Sequence, residues 1–540
     1  MNRIAGRSAF LALLKDEGIT HLFGNPGTTE LPIMHALKEH PDLTYVLGLQ
    51  EALVVAMADG FSRASGKLVA CNVHVAPGLG NAMGSLYNAK FTGTPMILTA
   101  GQQEQGHGLT EPLVKWAVEV TRLEDLPRIV RRAAKIATTP PTGPVFISLP
   151  GDILNAEAGI DLGSSTRVDT RTRPSDALLD TLATRLLKAE RPVIIAGDEV
   201  VKSDALEAAA AFAEALGAPV YQQSAPYGSH FLSENVCYVG SLSRDQKQVR
   251  GVLAKHDLLI VLGADPVRMS VWSEVEPRPE NLPVVHIGLN DWDMGKNFPA
   301  ELAVLSDVRE TLLALTPLLK AKGGERLAAR VKQDLSRLAK ENWSAKRAQL
   351  AERLETRRSA KPIDPDWLTL QVANALPRDA VLVNEGLTSS RHITDLVPYR
   401  DRYSFHALAS GGIGWGLPAA VGVAFAQAPR PVCCFSGDGS AMYSIQSLWT
   451  AANAKLPITY VIANNGGYRI IKQRLLAFHG SDRYVGMDFE DPKIDFTALA
   501  RSLGMPAERI TEADALPDAL RRAFNSPGPK LLDVVVDGTV

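Results

Sequence analysis

The stretch Val432-Cys433-Cys434-Phe435-Ser436-Gly437-Asp438-Gly439-Ser440, answered after a helix and a strand by Asn464-Asn465-Gly466-Gly467, decides the fold of this chain. Residues 432–435 form a short apolar run, as a buried strand requires, and they feed a glycine turn from which a helix starts near Ser440. That order leaves backbone N–H groups free to face a phosphate. Asp438 brings a carboxylate oxygen to the turn, and 27 positions later Asn465 brings an amide oxygen to the end of the next strand. In a parallel sheet both strand ends lie on one edge, so two hard oxygen donors meet there. With a backbone carbonyl and a diphosphate they make the oxygen set that an octahedral Mg2+ favours. Either turn alone reads as an ordinary Asp-Gly or Asn-Gly turn; the pair at this spacing does not.

Outward from this stretch, short β-rich runs alternate with helix-length segments at 19–23, 68–73, 95–99 and 145–149, at 192–197, 218–221, 258–262 and 284–287, and at 381–384, 459–463 and 531–535. The alternation predicts an α/β chain of three doubly wound, parallel-sheet domains. Their expected limits are 1–155, 178–320 and 366–540, with 321–365 a densely charged helix and linker, solvated and broken by Pro362 and Pro365. The first and third blocks are faintly alike. Each sets an acidic residue (Glu51; Glu385) before a glycine turn, Pro77-Gly78-Leu79-Gly80 in one and Ser410-Gly411-Gly412-Ile413-Gly414 in the other.

The 540 residues are 46% hydrophobic and 21% charged, with 43 Gly and 34 Pro, an ordinary globular composition. Fifty-seven Lys plus Arg against 59 Asp plus Glu leave a net charge of −2, so nothing favours nucleic acid as a partner. The apolar patch at 9–14 runs straight into Lys15-Asp16-Glu17, which reads as an amphipathic helix, and no apolar run approaches the roughly 20 residues of a membrane span. Cys71, Cys237, Cys433 and Cys434 hold no CxxC pair, and free thiols suit a reducing cytoplasm.

Gly437-Asp438-Gly439 through Asn464-Asn465 resembles the metal-diphosphate motif of the thiamine diphosphate enzymes, and the likeness runs over nearly the whole chain. It is most similar to the benzoylformate decarboxylase branch, in Gly24-Asn25-Pro26-Gly27-Thr28-Thr29-Glu30-Leu31-Pro32, Leu49-Gln50-Glu51-Ala52, Gly101-Gln102-Gln103, Pro112-Leu113-Val114-Lys115-Trp116 and Gly411-Gly412-Ile413-Gly414. Acetolactate synthase large subunits are also similar. The resemblance implies pyrimidine-binding, central and diphosphate-binding domains, in a homodimer or homotetramer with active sites between subunits. It implies a lyase that decarboxylates a benzoylformate-like 2-oxo acid, aromatic or bulky, to an aldehyde and carbon dioxide, with carboligase side activity. Thiamine diphosphate and Mg2+ are the implied cofactors, with Ca2+ or Mn2+ able to substitute. By motif, Asp438, Asn465 and the Gly467 carbonyl hold the metal, while Thr388, Gly437, Gly439, Ser440 and Tyr443 meet the diphosphate. Glu51 pairs with the pyrimidine, Gly411 offers a carbonyl to its amino group, and Ile413 bends the cofactor. His74 is the implied proton-transfer group and Thr28 the ligand of the substrate carboxylate. On the residues themselves, Leu49 and the apolar run 52–58 are expected to enclose Glu51 and raise its proton affinity.

Some departures bear on the substrate. The segment Gly263-Ala264-Asp265-Pro266-Val267-Arg268-Met269-Ser270-Val271-Trp272 holds no histidine where the branch has a second catalytic one, and Ser270 is expected to take its place. Ile470 and Arg474 are expected to line the substrate space, Arg474 either binding a second acidic group or lying on a solvated helix face. The segment before Pro112 is shorter than in the branch. Ala196-Gly197-Asp198-Glu199 offers one glycine where a dinucleotide fingerprint needs a series, so FAD is not expected. Two alternatives stand beside the decarboxylase: an acetolactate synthase-like carboligase or other carbon-carbon lyase, and a non-catalytic thiamine diphosphate-binding protein. Glu51 beside Asp438 and Asn465 argues against the second.

Overall fold

The apolar runs become strands with helices on both faces, in a computed structural model that describes residues 3–102, 107–269 and 273–540. β1 (Ile4–Ala5) pairs with β8 (Glu157–Ala158). Between them lie β2 (His21–Gly24), β3 (Thr44–Leu47), β4 (Val69–Val73), β5 (Met96–Gln102), β6 (Ala117–Glu119) and β7 (Pro144–Pro150), a parallel sheet in the order β3-β2-β4-β5-β7-β6. The central sheet holds β9 (Pro192–Ala196), β10 (Val220–Gln222), β11 (Tyr238–Ser241), β12 (Leu258–Leu262), β13 (Val284–Gly288) and β14 (Leu302–Leu305) in the order β11-β10-β9-β12-β13-β14. The third holds β15 (Val381–Glu385), β16 (Phe405–Ala407), β17 (Val432–Gly437), β18 (Ile458–Asn464), β19 (Ala507–Ile510) and β20 (Lys530–Val535) in the order β16-β15-β17-β18-β20-β19.

The likeness of the first and third blocks is therefore one shared strand order. In each sheet the order reverses between two neighbouring strands: β2 and β4, β9 and β12, β15 and β17. Loops leaving such a pair diverge and open a crevice at the carboxyl edge, where α/β proteins bind ligands.

The chain forms two compact units, one of residues 1–168, 356–391 and 406–540, the other of residues 169–355 and 392–405. In the first, the helix Glu51–Ser65 packs on the helix Gly416–Gln427, and glycines make the close approach possible. A Cβ on Gly422 would run into the Met57 carbonyl, and one on Gly60 into the Ala419 carbonyl. Beside the crossing, Trp415 Nε1 donates to Asp59 at 2.7 Å and the Arg63 guanidinium lies 4.5 Å from the indole centroid.

In the second unit, the charged segment expected to be a solvated linker proves to be core-forming. Its helix starts well upstream, Val308–Leu338, bends at Gly324, and buries Leu312, Leu315, Leu319, Leu327 and Leu338; Trp343 of the next helix, Trp343–Glu355, is buried too. Apolar residues every three or four positions bind this face to the core although Lys, Arg and Glu fill the other. Among the described residues no helix is long and apolar enough to cross a membrane. All four cysteines are free and buried.

Candidate active site

At the β2/β4 crevice the chain leaves β2 through Asn25-Pro26-Gly27 into the short turn Thr28–Glu30, and leaves β4 into His74. Glu30, 1% exposed, is the residue sequence reasoning missed. Its Oε2 accepts the Gly27 N–H at 3.0 Å and lies 2.8 Å from His74 Nδ1; its Oε1 accepts the Gly101 N–H at 2.9 Å and the Thr29 hydroxyl at 2.7 Å. An ionised carboxylate only accepts, so this contact puts the ring proton on Nδ1 and leaves Nε2 for proton exchange. The glycines of the motif have a local cause: a side chain on Gly27 would strike the His74 ring, and one on Gly101 would strike Thr29 and Glu30. Val75, the next residue, is buried and sits at φ 40°, an expensive conformation for a β-branched residue that turns the chain sharply after His74. Thr28 is exposed, and the hydroxyl of the next residue, Thr29, donates to Glu30.

Glu51 opens its helix, capped by the Gln50 side chain, and its Oε2 accepts from Asn81 Nδ2 at 3.0 Å. The expected apolar enclosure is not built. Leu49 is 42% exposed, and the run 53–58 faces the core while Glu51 is half-exposed at the helix start. Gly78 lies against it, where a Cβ would come 2.9 Å from Glu51 Oε1.

At the β15/β17 crevice and the neighbouring strand β18, Asp438 and Asn465 follow adjacent strand ends, as their spacing predicts, and Thr388 follows the end of β15. Asp438 is buried; Oδ1 accepts the Gly439 N–H at 2.8 Å, and Oδ2 accepts those of Gly466 at 2.7 Å and Gly467 at 3.2 Å. Burial pushes its carboxyl up to about 6 against these donors. Asn465 Nδ2 reaches Ser389 at 3.5 Å, while its Oδ1 is buried with no hydrogen-bond partner among the described residues. Among the described residues no three His, Cys, Asp or Glu side chains gather as a metal site. The set here is one carboxylate, one amide oxygen left without a donor, and the Gly467 carbonyl, which accepts from Arg469 N at 3.0 Å. It fits a hard divalent cation completed by a diphosphate, since a cation would satisfy both the orphan oxygen and the buried charge. Gly437, Gly439 and Ser440 form the buried turn around it, and Tyr443 stands 56% exposed at its mouth.

The glycine turn is held from two sides. Asn88 donates to the Gly412 carbonyl at 2.8 Å and accepts from Ser410 N at 3.1 Å. Behind it lies Glu385, fully buried at the end of β15, its carboxyl pushed up to about 7 by desolvation. Gly411 is exposed, its carbonyl accepting from Ile413 N at 3.1 Å, and Ile413 is half-buried. Ile470 is half-buried on the helix Arg469–His479, whereas Arg474 is exposed with its guanidinium 5.7 Å from the Phe478 ring centroid. Ser270 lies outside the described residues, as do Gln103 and the rest of the short segment to 106. Lys115 of the Pro-Leu-Val-Lys-Trp motif is structural: its Nζ donates to the carbonyls of Ile136 and Thr139 at the end of a helix. In the central unit the β9/β12 crevice is filled by Glu199, which accepts the N–H groups of Leu289 and Asn290.

Three family profiles match the chain: thiamine pyrophosphate enzyme N-terminal TPP binding domain over residues 4–115, central domain over 179–315, and C-terminal TPP binding domain over 388–534. A benzoylformate decarboxylase from Pseudomonas aeruginosa is 32% identical, covering 98% of each chain. An acetolactate synthase large subunit from Haemophilus influenzae is 26% identical over 97% of this chain and 93% of its own. Among solved structures, a thiamine diphosphate-dependent 4-hydroxybenzoylformate decarboxylase from Rhodococcus jostii superposes with a TM-score of 0.87 at 29% identity, covering 99% of both chains.

Proposed function

We propose, from the premise that the chain belongs to the thiamine pyrophosphate enzymes, that it decarboxylates a 2-oxo acid with an aromatic or bulky side chain, giving an aldehyde and carbon dioxide, with thiamine diphosphate and Mg2+ as cofactors. The observation that carries the reading is the Glu30–His74 pair, an imidazole held at Nδ1 by a buried carboxylate beside the switch-point crevice. Two relatives whose names specify benzoylformate and 4-hydroxybenzoylformate support the aromatic side chain.

Bound thiamine diphosphate supplies the electron sink for the bond to the departing carboxylate. Asp438, Asn465 and the Gly467 carbonyl hold the metal, and Thr388, Ser440 and Tyr443 serve the diphosphate. Glu51, with Oε2 accepting from Asn81, pairs with the pyrimidine. Thr28 binds the substrate carboxylate through its hydroxyl, and His74 exchanges a proton at Nε2. A second copy of the chain covers the site: Leu387, Met442, Tyr443, Ile471 and Phe478 leave large apolar surfaces exposed near the carboxyl edge of the third sheet. Free buried thiols suit a cytoplasmic setting.

One observation favours carboligation of the acetolactate synthase type as a second reading. No histidine occurs at 263–272, where the resemblance to the decarboxylase branch implies a second one for proton delivery. Incubation with benzoylformate, thiamine diphosphate and Mg2+ decides between them. Benzaldehyde and carbon dioxide in equal amounts, abolished by chelating the metal, support decarboxylation. A hydroxyketone as main product supports the second reading, and cofactor binding without turnover refutes this substrate class.

A further inference from the structure

We propose that Glu385 is a positioning residue of the cofactor site, clamping the glycine turn that carries Ile413 to the end of β15. The inference rests on the role given above to Ile413. Glu385 closes β15 at the switch point and is 1% exposed. Its Oε1 accepts the Gly414 N–H at 2.6 Å and its Oε2 accepts the Gly416 N–H at 2.5 Å.

One carboxylate thus gathers two backbone donors from a single turn. A glutamine of the same shape has a single acceptor oxygen and would present an NH2 to an N–H. The glycines are the counterpart of the clamp: a Cβ on Gly416 would stand 2.9 Å from Glu385 Cβ and 3.0 Å from its Oε2, and Gly414, at φ 89°, lies against Tyr443. Asn88 holds Ser410 and Gly412 at the other end of the turn. Ile413 therefore projects from a segment fixed on both sides, and Glu385 sets its place relative to the end of β15.

A carboxylate that merely caps the helix Gly416–Gln427 would give the same hydrogen bonds, so the test separates stability from positioning. The wild type and Glu385→Gln are titrated with thiamine diphosphate in saturating Mg2+, following intrinsic fluorescence. Their unfolding midpoints without cofactor and their turnover per folded enzyme are then compared. Positioning predicts that folded E385Q binds thiamine diphosphate about 10- to 100-fold more weakly and turns over slower by a similar factor, as expected for the loss of a supporting shell. Glu385→Asp, which keeps the charge, recovers part of both. A lower midpoint with affinity and turnover within about twofold of wild type overturns the proposal. If E385Q does not accumulate as folded protein, Gly416→Ala, which presses on the same clamp from the turn, is judged by the same readouts. Absence of cofactor binding in the wild type refutes the functional reading itself; wild-type binding with E385Q unimpaired refutes only the clamp.

Discussion

Glu30→Gln is the change that most directly probes how the site holds its imidazole. The carboxylate has four partners: two backbone N–H groups from Gly27 and Gly101, the Thr29 hydroxyl, and His74 Nδ1. Glutamine keeps the shape but has one acceptor oxygen. If that oxygen stays toward His74 and Gly27, the NH2 meets the Gly101 N–H, and a buried donor loses its acceptor, costing about 1–3 kcal/mol of stability. If the amide turns the other way, the NH2 faces His74 Nδ1, which must then give up its proton and accept. The ring adopts the opposite tautomer, with Nε2 protonated when it should be receiving. In either orientation the imidazolium loses its buried counter-charge. We expect kcat to fall about 100-fold, on the scale of losing a general acid-base group, while cofactor affinity is kept, because the hydrogen bonds of Glu30 go to Gly27, Thr29, His74 and Gly101. Steady-state rates across pH, with fluorescence titration of thiamine diphosphate and urea unfolding of the same preparations, provide the readouts. Wild-type kcat in a folded Glu30→Gln enzyme would falsify the assignment of His74 as the proton-transfer group held by Glu30. A loss confined to cofactor affinity would mean that Glu30 shapes the fold and leaves His74 alone.

Two further outcomes follow from buried groups and close contacts. Burial raises the Glu199 carboxyl from its ordinary value of 4.5 to about 7, so the folded state holds its proton more tightly than the unfolded state does. Its stabilising contribution is complete below pH 4.5 and is lost as pH rises through 7; at about 1.4 kcal/mol per unit this is about 3 kcal/mol, and urea unfolding at pH 4.5 and 8 should show that difference in the wild type relative to Glu199→Gln. An equal pH dependence in both proteins rejects it. Gly422→Ala should destabilise the first unit by about 1–3 kcal/mol or more, because the added methyl meets the Met57 carbonyl. Helix propensity alone predicts a gain of about 1 kcal/mol, so the sign of the shift in unfolding midpoint decides which effect wins.

The parts of the molecule that could be read from the sequence are those whose cause is local. A strand covered on both faces is a continuous apolar run, and Asp438 and Asn465 stand out because they interrupt such runs at glycine turns. What escaped depends on partners far along the chain. Glu30 reads as an ordinary turn residue until Gly101 and His74 are folded against it, and Gly422 reads as a weak point in a helix until Met57 is seen behind it. The apolar enclosure expected around Glu51 does not form because a run of apolar neighbours says nothing of direction: its helix turns residues 53–58 to the core and leaves the first side chain at the rim. The charged segment concealed a buried face because Leu327, Leu338 and Trp343 are few among many Lys, Arg and Glu.

The buried glutamates share a cause that joins the three sheets. Glu30 follows β2, Glu199 follows β9 and Glu385 ends β15, each at the first strand of its sheet's reversing pair. Each accepts at least two backbone N–H groups: from Gly27 and Gly101, from Leu289 and Asn290, and from Gly414 and Gly416. The donors come from other parts of the same sheet's architecture: Gly101 lies in β5, Leu289 and Asn290 follow β13, and Gly414 and Gly416 lead into the helix Gly416–Gln427. A carboxyl with lone pairs in several directions takes two such donors at once, and an unpaired buried N–H would be costly. Glycines stand against each carboxylate because a Cβ would occupy its place: Gly101 at Glu30, Gly263 and Gly288 at Glu199, Gly416 at Glu385. In the central sheet the carboxylate fills the crevice. In the first and third it lies behind the surface of the crevice and holds the residues that face it, His74 in one and the Ile413 turn in the other, so the same solution to an unpaired backbone serves as a plug in one sheet and as a support for chemistry in two.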